Sequence, residues 1–255
     1  MLLAFTRAVS PTLADCELTH LQREPLDVAR AAQEHAAYET VLARLGATVL
    51  HLPSEPDLPD AVFVEDTAIV LDEIAVVTRP GAPSRRHATA STAAALAAYR
   101  PLVHVRAPAP LDGGDVLAAQ RRIYVGLSTR TNRAAVEQLA AALAPLDYEV
   151  IPVAFTGCLH LTSGVTRVAD GLLLINPDWV DPGSFVGYRA LPVDPAEPHA
   201  ANALPVGGSV LHPAHHPRTR ARLEAEGLRV EPVTMTELTK AEAGVTCCSL
   251  LLQQT

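Results

Sequence analysis

The chain has 255 residues, of which 49% are hydrophobic and 19% are charged, and its formal net charge is −8. This composition is typical of a globular domain and excludes disorder as the main state. The acidic balance, without any run of Lys or Arg, argues against a nucleic-acid partner. No apolar stretch approaches the roughly 18 residues of a membrane span, so we expect no membrane partner either.

The four cysteines are Cys16, Cys158, Cys247 and Cys248. They show no C-x-x-C spacing, and two of them are sequence neighbours that cannot readily pair with each other. This pattern favours free thiols in a reducing compartment. The first residues also lack a basic leader of the kind that opens a signal peptide. We therefore expect a cytoplasmic location.

The first 52 residues predict a strand, a helix and a second strand. An apolar run predicts a strand over residues 2–7, and apolar residues at helical spacing predict a helix over residues 26–45. Pro25 precedes this helix and Gly46 follows it, as start and stop signals. A short alternation then predicts a strand over residues 48–52.

From residue 61 onward, a pattern of strand, strand, helix and strand recurs along the chain. The first copy predicts strands over residues 66–71 and 74–78, a helix over 84–98 and a strand over 102–105. The second copy predicts strands over 115–118 and 123–127, a helix over 133–143 and a strand over 149–153. A looser third copy follows a strand over 172–175, and a fourth is visible over 210–213, 218–226 and 228–233. Residues 182–198 are rich in Pro, Asp and Gly, which predicts a surface loop or a lid.

One such unit cannot bury its own apolar face, so the repeat predicts radial or stacked assembly of the units. The alternative is a single open α/β sheet whose element spacing is coincidental. No linker divides the chain, which predicts one domain spanning residues 1–255. No Gly-rich phosphate loop opens any of the helices.

Two groups of acids mark the starts of matching strands. Asp60, Glu65 and Asp66 lie at the end of an apolar segment, and Asp112 and Asp115 flank two glycines in the next copy. Neighbours on a strand face opposite sides, so Glu65 and Asp66 can both point inward only at a bend. Unpaired buried acids are costly, and a cationic ligand would relieve that cost. A structural salt bridge is the alternative for the first group, and a hairpin turn for the second.

Two arginines, Arg85 and Arg130, stand at the entrances of the predicted helices in the two copies. Arginine at a helix N-terminus opposes the helix dipole, so its presence there favours a functional interpretation. A guanidinium is suited to bidentate binding of a substrate carboxylate.

A candidate nucleophile lies at Cys247, between a small-residue turn and an apolar run. A candidate partner is His160, on the apolar segment Leu159-His160-Leu161, which we predict to be a strand. A Cys and His pair is the usual means of forming and using a thiolate. The alternatives are a thiol buried for packing and a core histidine.

A histidine-rich segment contains His212, His215 and His216 beside prolines. It lacks acidic or cysteine partners at zinc-ligand spacing, so we predict a surface turn rather than a metal site.

The motifs together resemble one family, in order and across nearly the whole chain. They are Phe63-Val64-Glu65-Asp66, Arg79-Pro80-Gly81-Ala82-Pro83-Ser84-Arg85-Arg86, Leu111-Asp112-Gly113-Gly114-Asp115-Val116-Leu117, Val125-Gly126-Leu127-Ser128 with Arg130-Thr131-Asn132, Leu159-His160-Leu161 and Thr246-Cys247-Cys248-Ser249. They are similar to those of the dimethylarginine dimethylaminohydrolases. The resemblance implies the pentein fold, an α/β-propeller of five ββαβ-type repeats around a pseudo-fivefold axis.

The same resemblance implies roles for individual residues. Cys247 would be the nucleophile and His160 the general acid–base. Asp66 and Asp112 would bind the guanidinium nitrogens, with Asp112 also orienting the catalytic groups. Arg85 and Arg130 would hold the substrate α-carboxylate. The remaining substrate-contact positions fall on Leu18, Asp60, Glu65 and the carbonyl of Ala241.

The implied activity is hydrolysis of N-omega-methylated arginines to citrulline and an alkylamine, through a covalent thiouronium on the cysteine. The substrate would be a small cation, no metal or organic cofactor would be required, and the protein would be a monomer or a homodimer. The nearest alternative is an arginine deiminase acting on free arginine. A non-catalytic pentein-fold binding protein and a zinc-binding protein using the histidine-rich segment with Cys247 are two further alternatives.

Overall fold

Five small sheets of three strands each build the fold in the computed structural model, which describes residues 1–254. The strands are β1 (Leu2–Thr6), β2 (Ala47–His51), β3 (Ala68–Val70), β4 (Ala75–Val77), β5 (Leu102–His104), β6 (Val116–Ala119), β7 (Arg122–Leu127), β8 (Glu149–Ala154), β9 (Val165–Ala169), β10 (Leu172–Ile175), β11 (Arg189–Pro192), β12 (Leu204–Val206), β13 (Ser209–Pro213), β14 (Val230–Val233) and β15 (Leu250–Gln253). In each sheet the first two strands are antiparallel and the third is parallel to the second.

Parallel neighbours need a crossover connection, and helices supply it in four of the five sheets. The helices are α1 (Val28–Arg44), α2 (Thr89–Leu96), α3 (Arg133–Leu143), α4 (Leu161–Gly164) and α5 (Pro217–Ala225). Between β10 and β11 the crossover instead contains the short 3-10 segment Pro182–Ser184. The helix α4 is a single turn that leads into β9. None of the helices in the described part of the chain is long and apolar enough to cross a bilayer.

The sheet formed by β15, β1 and β2 closes the ring. β15 pairs antiparallel with β1, so that Leu2 faces Gln253 and Phe5 faces Leu250. β1 in turn pairs in parallel with β2. The first unit is therefore completed by the last strand, and the five ββαβ-type repeats implied by the resemblance are confirmed. The alternative of one open sheet is wrong, because the strands divide into five separate sheets.

The apolar cores lie between neighbouring units. One cluster joins Val76 of β4 to Ile123 of β7 and to Leu139 of α3. Another joins Tyr124 of β7 to Leu173 of β10. Each unit thus buries its apolar face against its neighbour, as the repeat pattern requires.

Several predicted elements agree with the structure, and others differ for identifiable reasons. The helix predicted over residues 133–143 is confirmed as α3, and the Asn132 side chain accepts from Ala135 N at 3.1 Å as its N-cap. The helix predicted over 84–98 was wrong at its start, because residues Pro83–Ala88 form a tighter 3-10 segment that turns Arg85 inward. Likewise, Val64–Thr67 form a 3-10 turn, so the strand predicted from residue 66 begins at Ala68.

The prediction of a loop over residues 182–198 was wrong for β11. Residues Arg189–Pro192 pair in parallel with β10 and complete the fourth sheet. Such an outer strand tolerates Pro192, because a proline on an edge strand leaves no ladder hydrogen bond unmade.

Candidate active site

The chemistry-bearing residues lie on short turns that precede the first strand of a unit. Asp66 lies two residues before β3, Asp112 four before β6 and His160 five before β9. Cys247 lies three residues before β15. Because the units repeat around the ring, these equivalent turns converge at its centre.

Asp66 is buried and both of its carboxylate oxygens are engaged. Oδ1 accepts from Gly114 N at 2.9 Å, and Oδ2 pairs with Arg85 Nη2 at 2.7 Å. Burial alone would raise the pKa of Asp66, but the charges of His160 and Arg85 hold that pKa below its usual value. A Cβ at Gly114 would lie 2.6 Å from His160 Nδ1 and 2.9 Å from Asp66 Oδ1, which explains the glycine. The 3-10 turn supplies the bend that turns Asp66 inward.

Asp112 is fully buried and orients His160. Its Oδ2 lies 3.0 Å from His160 Nε2, and its Oδ1 accepts from Gly81 N at 2.7 Å. Arg130 Nη1 lies 3.8 Å from the same Oδ2. The imidazole is therefore held by a carboxylate that is itself fixed by the backbone.

His160 lies between two acids, since its Nδ1 is also 3.7 Å from Asp66 Oδ1. Burial would lower the pKa of His160, but the charge of Asp66 and the hydrogen bond to Asp112 raise it to about 10. The group is therefore an imidazolium at neutral pH, ready to act as an acid. The predicted strand at residues 159–161 was wrong: His160 immediately precedes α4, whose first residue Leu161 anchors the turn in the core.

Asp115 holds the turn that carries His160 in place through hydrogen bonds. Its Oδ1 accepts from Leu161 N at 3.1 Å, and its Oδ2 accepts from Ser128 Oγ at 2.6 Å. Burial raises the pKa of Asp115 to about 6. In the sequence, the two preceding glycines drew attention to Asp115. Its contact with the turn that carries His160 could not be predicted there.

Cys247 is buried in the tight turn ahead of β15. Its Sγ accepts from Gly244 N at 3.3 Å, and its carbonyl accepts from Glu65 N at 3.1 Å. Burial, together with the charges of Glu65 and Asp66, holds the pKa of the thiol well above its usual value. A cation placed beside these acids would oppose that effect and favour the thiolate.

Glu65 stands beside the thiol and the histidine. Its Oε2 accepts from Thr246 Oγ1 at 2.8 Å. Burial and the charge of Asp66 raise the pKa of Glu65 to about 7, while Thr246 and His160 act to lower it. The carboxyl can therefore exchange a proton near neutral pH.

Two buried arginines occupy the other end of the site. Arg85 Nε lies 4.0 Å from Asp60 Oδ1, in addition to its pair with Asp66. Arg130 Nη2 donates to Thr19 Oγ1 at 3.0 Å. The helix-entrance prediction is confirmed for Arg130, three residues before α3, and for Arg85, which lies in the 3-10 segment that runs directly into α2.

A loop over residues 17–21 covers this cationic end and carries Leu18. Asp60 Oδ2 accepts from Glu17 N at 3.2 Å. The carboxylate of Glu242 accepts from three successive backbone N–H groups of the loop, those of Thr19, His20 and Leu21, at 2.5–3.1 Å. The buried Ala241 immediately precedes Glu242. The loop is thus tied to the predicted substrate contacts Asp60 and Arg130, and to Glu242, which follows Ala241.

A cavity of about 300 Å³ lies beside the turns that carry His160 and Cys247, but neither of these residues lines it, nor does Asp66 or Asp112. Leu159, next to His160, lines one side, and Ala243 and Gly244 line the side that leads to Cys247. His20 and Leu21 of the covering loop complete it. A far smaller cavity lies against Asp60 and Arg85.

Asp66, Asp112 and His160 each offer a ligand atom within 4.8 Å of the others, which is close enough for a metal ion. A metal needs a neutral imidazole and would have to displace the proton that the neighbouring acids favour on His160. Both carboxylates also face arginines. The charges therefore suit an organic cation better than a metal.

The histidine-rich segment differs from its prediction. His212 is buried at the end of β13, where its Nε2 lies 2.9 Å from the carbonyl oxygen of Ala200, so a surface turn is wrong for this residue. His215 and His216 follow it with ring centroids 4.2 Å apart. Across residues 1–254, no group of closely placed ligand atoms includes these histidines or Cys247.

Five ββαβ-type units around a centre that holds a thiol, an imidazole and paired acids define a pentein-fold protein. A family model described as "N,N dimethylarginine dimethylhydrolase, eukaryotic" matches residues 19–183. Over 253 residues the chain is 40% identical to the N(G),N(G)-dimethylarginine dimethylaminohydrolase of Streptomyces coelicolor, covering 98% of this chain and 97% of that protein. The chain therefore belongs to the dimethylarginine dimethylaminohydrolase family.

Solved structures give the same result. A cysteine-to-serine mutant of the Pseudomonas aeruginosa enzyme, complexed with citrulline, superposes with a TM-score of 0.93 at 30% identity and covers 98% of both chains. The N-terminal domain of a cyanobacterial arginine dihydrolase superposes with a TM-score of 0.89 at 18% identity, covering 99% of this chain and 98% of that one. The second likeness concerns the fold alone.

Proposed function

We propose that this protein hydrolyses N-omega-methylated arginines to citrulline and an alkylamine, with Cys247 as the nucleophile. The observation that carries the proposal is the position of the His160 imidazole between the buried acids Asp66 and Asp112, which raise its pKa to about 10. The names of the relatives and the citrulline bound to the Pseudomonas aeruginosa enzyme support the same chemistry.

Guanidinium binding is the first requirement, because the delocalised charge makes the guanidinium carbon a poor electrophile. Carboxylates on both sides localise the charge and fix the plane of the group. Asp66 already engages a guanidinium, that of Arg85, at 2.7 Å. The substrate guanidinium would take over this carboxylate and share Asp112.

The covalent step follows from the protonation states. The cationic substrate lowers the pKa of the Cys247 thiol, whose ionisation is otherwise opposed by burial and by Glu65. The sulfur then forms a bond to the guanidinium carbon. The bond from that carbon to the alkylated nitrogen breaks, and His160 supplies the proton with which the amine departs.

Hydrolysis of the resulting thiouronium uses the same residues in reverse. Neutral His160 accepts a proton from water, whose oxygen attacks the carbon. The carbon–sulfur bond then breaks, which returns Cys247 as thiolate and releases citrulline. Asp112 keeps the imidazole in place through both steps at 3.0 Å. These reaction steps require no cofactor.

The other end of the substrate would be held by the remaining residues. Arg85 and Arg130 would bind the α-carboxylate, since paired guanidiniums suit a carboxylate. Asp60 and the carbonyl of Ala241 would take the α-ammonium. Leu18 would cover the site from the loop, and Glu65 would contact the guanidinium beside the thiol.

The relatives named dimethylarginine dimethylaminohydrolases favour methylated arginine over free arginine as the substrate. A deiminase site would need further hydrogen-bond acceptors for the unsubstituted nitrogen. All the residues invoked come from one chain, so one domain and a monomer suffice. Free thiols at all four cysteines support a cytoplasmic location.

The test is to supply purified protein with asymmetric dimethylarginine, monomethylarginine and arginine in parallel and to measure citrulline and the released amine. We expect turnover of the methylated substrates. Preferred turnover of arginine would support a deiminase instead. No turnover of any of the three would support a non-catalytic binding protein.

A further inference from the structure

Asn202 occupies the place in its unit that the catalytic residues occupy in the others. It lies two residues before β12, the first strand of the fifth sheet, just as Asp66 lies two before β3. The side chain is 5% exposed. None of the catalytic residues implied by the resemblance comes from such a turn in this unit, so Asn202 fills the fifth equivalent position around the ring.

The Asn202 amide connects two turns that are distant in sequence. Nδ2 donates to the carbonyl of Thr162 at 3.0 Å and to Thr246 Oγ1 at 2.9 Å, while Oδ1 accepts from Thr246 N at 3.1 Å. The orientation of the amide is unambiguous, because a carbonyl can only accept and a backbone N–H can only donate. Both amide protons and the oxygen are therefore used.

The two partners stand next to the reacting groups. Thr162 is two residues beyond His160, and Thr246 immediately precedes Cys247. We propose that Asn202 is a positioning residue that fixes the His160 turn and the Cys247 turn relative to each other. The proposal rests on the proposed function, because it assigns to Asn202 the geometry that the thiol and the imidazole need.

A second contact extends this role to Glu65. The Thr246 hydroxyl accepts from Asn202, so its single proton is free for Glu65 Oε2 at 2.8 Å. Asn202 thus selects the direction in which the hydroxyl points. The carboxyl of Glu65, beside the thiol, is held through this relay.

Packing supplies a third constraint. A Cβ at Gly244 would lie 2.3 Å from Asn202 Cγ and Oδ1, so the amide rests directly on the Gly244 backbone. The N–H of Gly244 lies 3.3 Å from Cys247 Sγ. Displacing Asn202 would therefore release the peptide that contacts the sulfur.

The test compares Asn202→Leu with a matched control, Asn176→Leu. Asn176 is 2% exposed, donates to Pro198 O at 2.9 Å and accepts from Asp178 N at 3.0 Å, in a loop that bears none of the catalytic residues. Both variants should lower the unfolding temperature, because each loses buried hydrogen bonds. Only Asn202→Leu should lower kcat, by about 10²-fold with KM changed less than about threefold, since misplaced groups cost turnover rather than binding.

Hydrogen exchange of the ligand-free protein supplies a readout that does not depend on activity. Peptides containing Thr162 and Thr246 should both exchange faster in Asn202→Leu and remain protected in Asn176→Leu. Faster exchange in one turn alone, wild-type kcat in Asn202→Leu, or equal kcat losses in both variants would each overturn the proposal. If the wild-type protein hydrolyses no methylated arginine, the proposed function fails, and exchange still decides the role of Asn202.

A second variant covers the case in which Asn202→Leu does not fold. Thr246→Val removes the hydroxyl link to Asn202 and Glu65 and leaves the backbone bond to Asn202 Oδ1. We expect kcat to fall about tenfold and the Thr162 peptide to exchange faster, because one of three bonds of the amide is lost. Unchanged kcat and unchanged exchange would contradict the proposal.

Discussion

The guanidinium of Arg85 lies 2.7 Å from the carboxylate of Asp66, so one of the protein's own cations occupies an acid that the proposed mechanism assigns to the substrate. Both side chains are buried, and the charge of Asp66 raises the pKa of Arg85 against the effect of burial. The proposed binding of an arginine derivative would therefore involve an exchange of partners, in which Asp66 takes the substrate guanidinium and Arg85 turns to the substrate carboxylate.

Replacing Arg85 with alanine should weaken binding of substrates that carry an α-carboxylate. We expect Arg85→Ala to raise KM for dimethylarginine by about 10- to 10²-fold, the value of a charge-assisted hydrogen bond. Binding of N-methylguanidine, which lacks the carboxylate, should not weaken. Arg189→Ala, which removes an exposed ion pair with Glu226, is the control. Equal weakening for both ligands would contradict the proposed role of Arg85.

Replacing the proposed nucleophile, Cys247, should abolish turnover without unfolding the protein. We expect Cys247→Ser to lower kcat at least about 10³-fold, because a hydroxyl is a far weaker nucleophile than a thiolate. Cys248→Ala is the matched control: it removes the neighbouring thiol, which lies in the core, and should cost stability while retaining activity. Citrulline release and thermal unfolding measure the two effects. Full activity in Cys247→Ser would exclude covalent catalysis by this residue.

The pH dependence of kcat should be bell-shaped. Activity rises with pH as the Cys247 thiol ionises in the complex, because the bound cation lowers a thiol pKa that lies above its usual value in the free protein. Activity falls as the pH passes about 10, where His160 loses the proton that the leaving amine needs. Removing the charge that supports the imidazolium, in Asp112→Asn, should move the falling limb to lower pH. A falling limb that does not move would show that another group sets it.

The carboxylate of Glu242 should control the loop over residues 17–21. Because it accepts three successive backbone N–H groups, Glu242→Gln should loosen the loop, raise KM about tenfold and speed proteolysis there. The control is Glu226→Gln, which alters a glutamate paired with Arg189 on the surface. Limited proteolysis with mass mapping measures the effect. Unchanged cleavage in Glu242→Gln would mean that other contacts hold the loop.

Local signals predicted local structure well. The α3 helix follows from apolar spacing and the Asn132 cap, both of which act within a few residues. The turns at Val64–Thr67 and before α4 were predicted as strands because their apolar residues resemble those of a buried strand. In the structure these apolar residues pack in the core, and the polar residues beside them face the candidate site. The strand β11 has no recognisable sequence pattern of its own. It forms because residues 189–192 pair with the open edge of β10.

The candidate site shows the same division. Spacing alone drew attention to Cys247, His160 and the acids, and the family resemblance supplied their roles. Asn202 carried no signal at all, because its two partners, Thr162 and Thr246, lie 40 and 44 residues away along the chain. A residue that acts by joining two remote turns becomes recognisable once those turns are brought together.

The pairing of β15 with β1 closes the ring, and Cys247 lies next to this closing pair of strands. Cys247 lies three residues before β15, so separation of this strand from Leu2–Thr6 would carry the proposed nucleophile away from the acids. Loss of turnover would therefore precede global unfolding whenever this pair of strands is the first part to open.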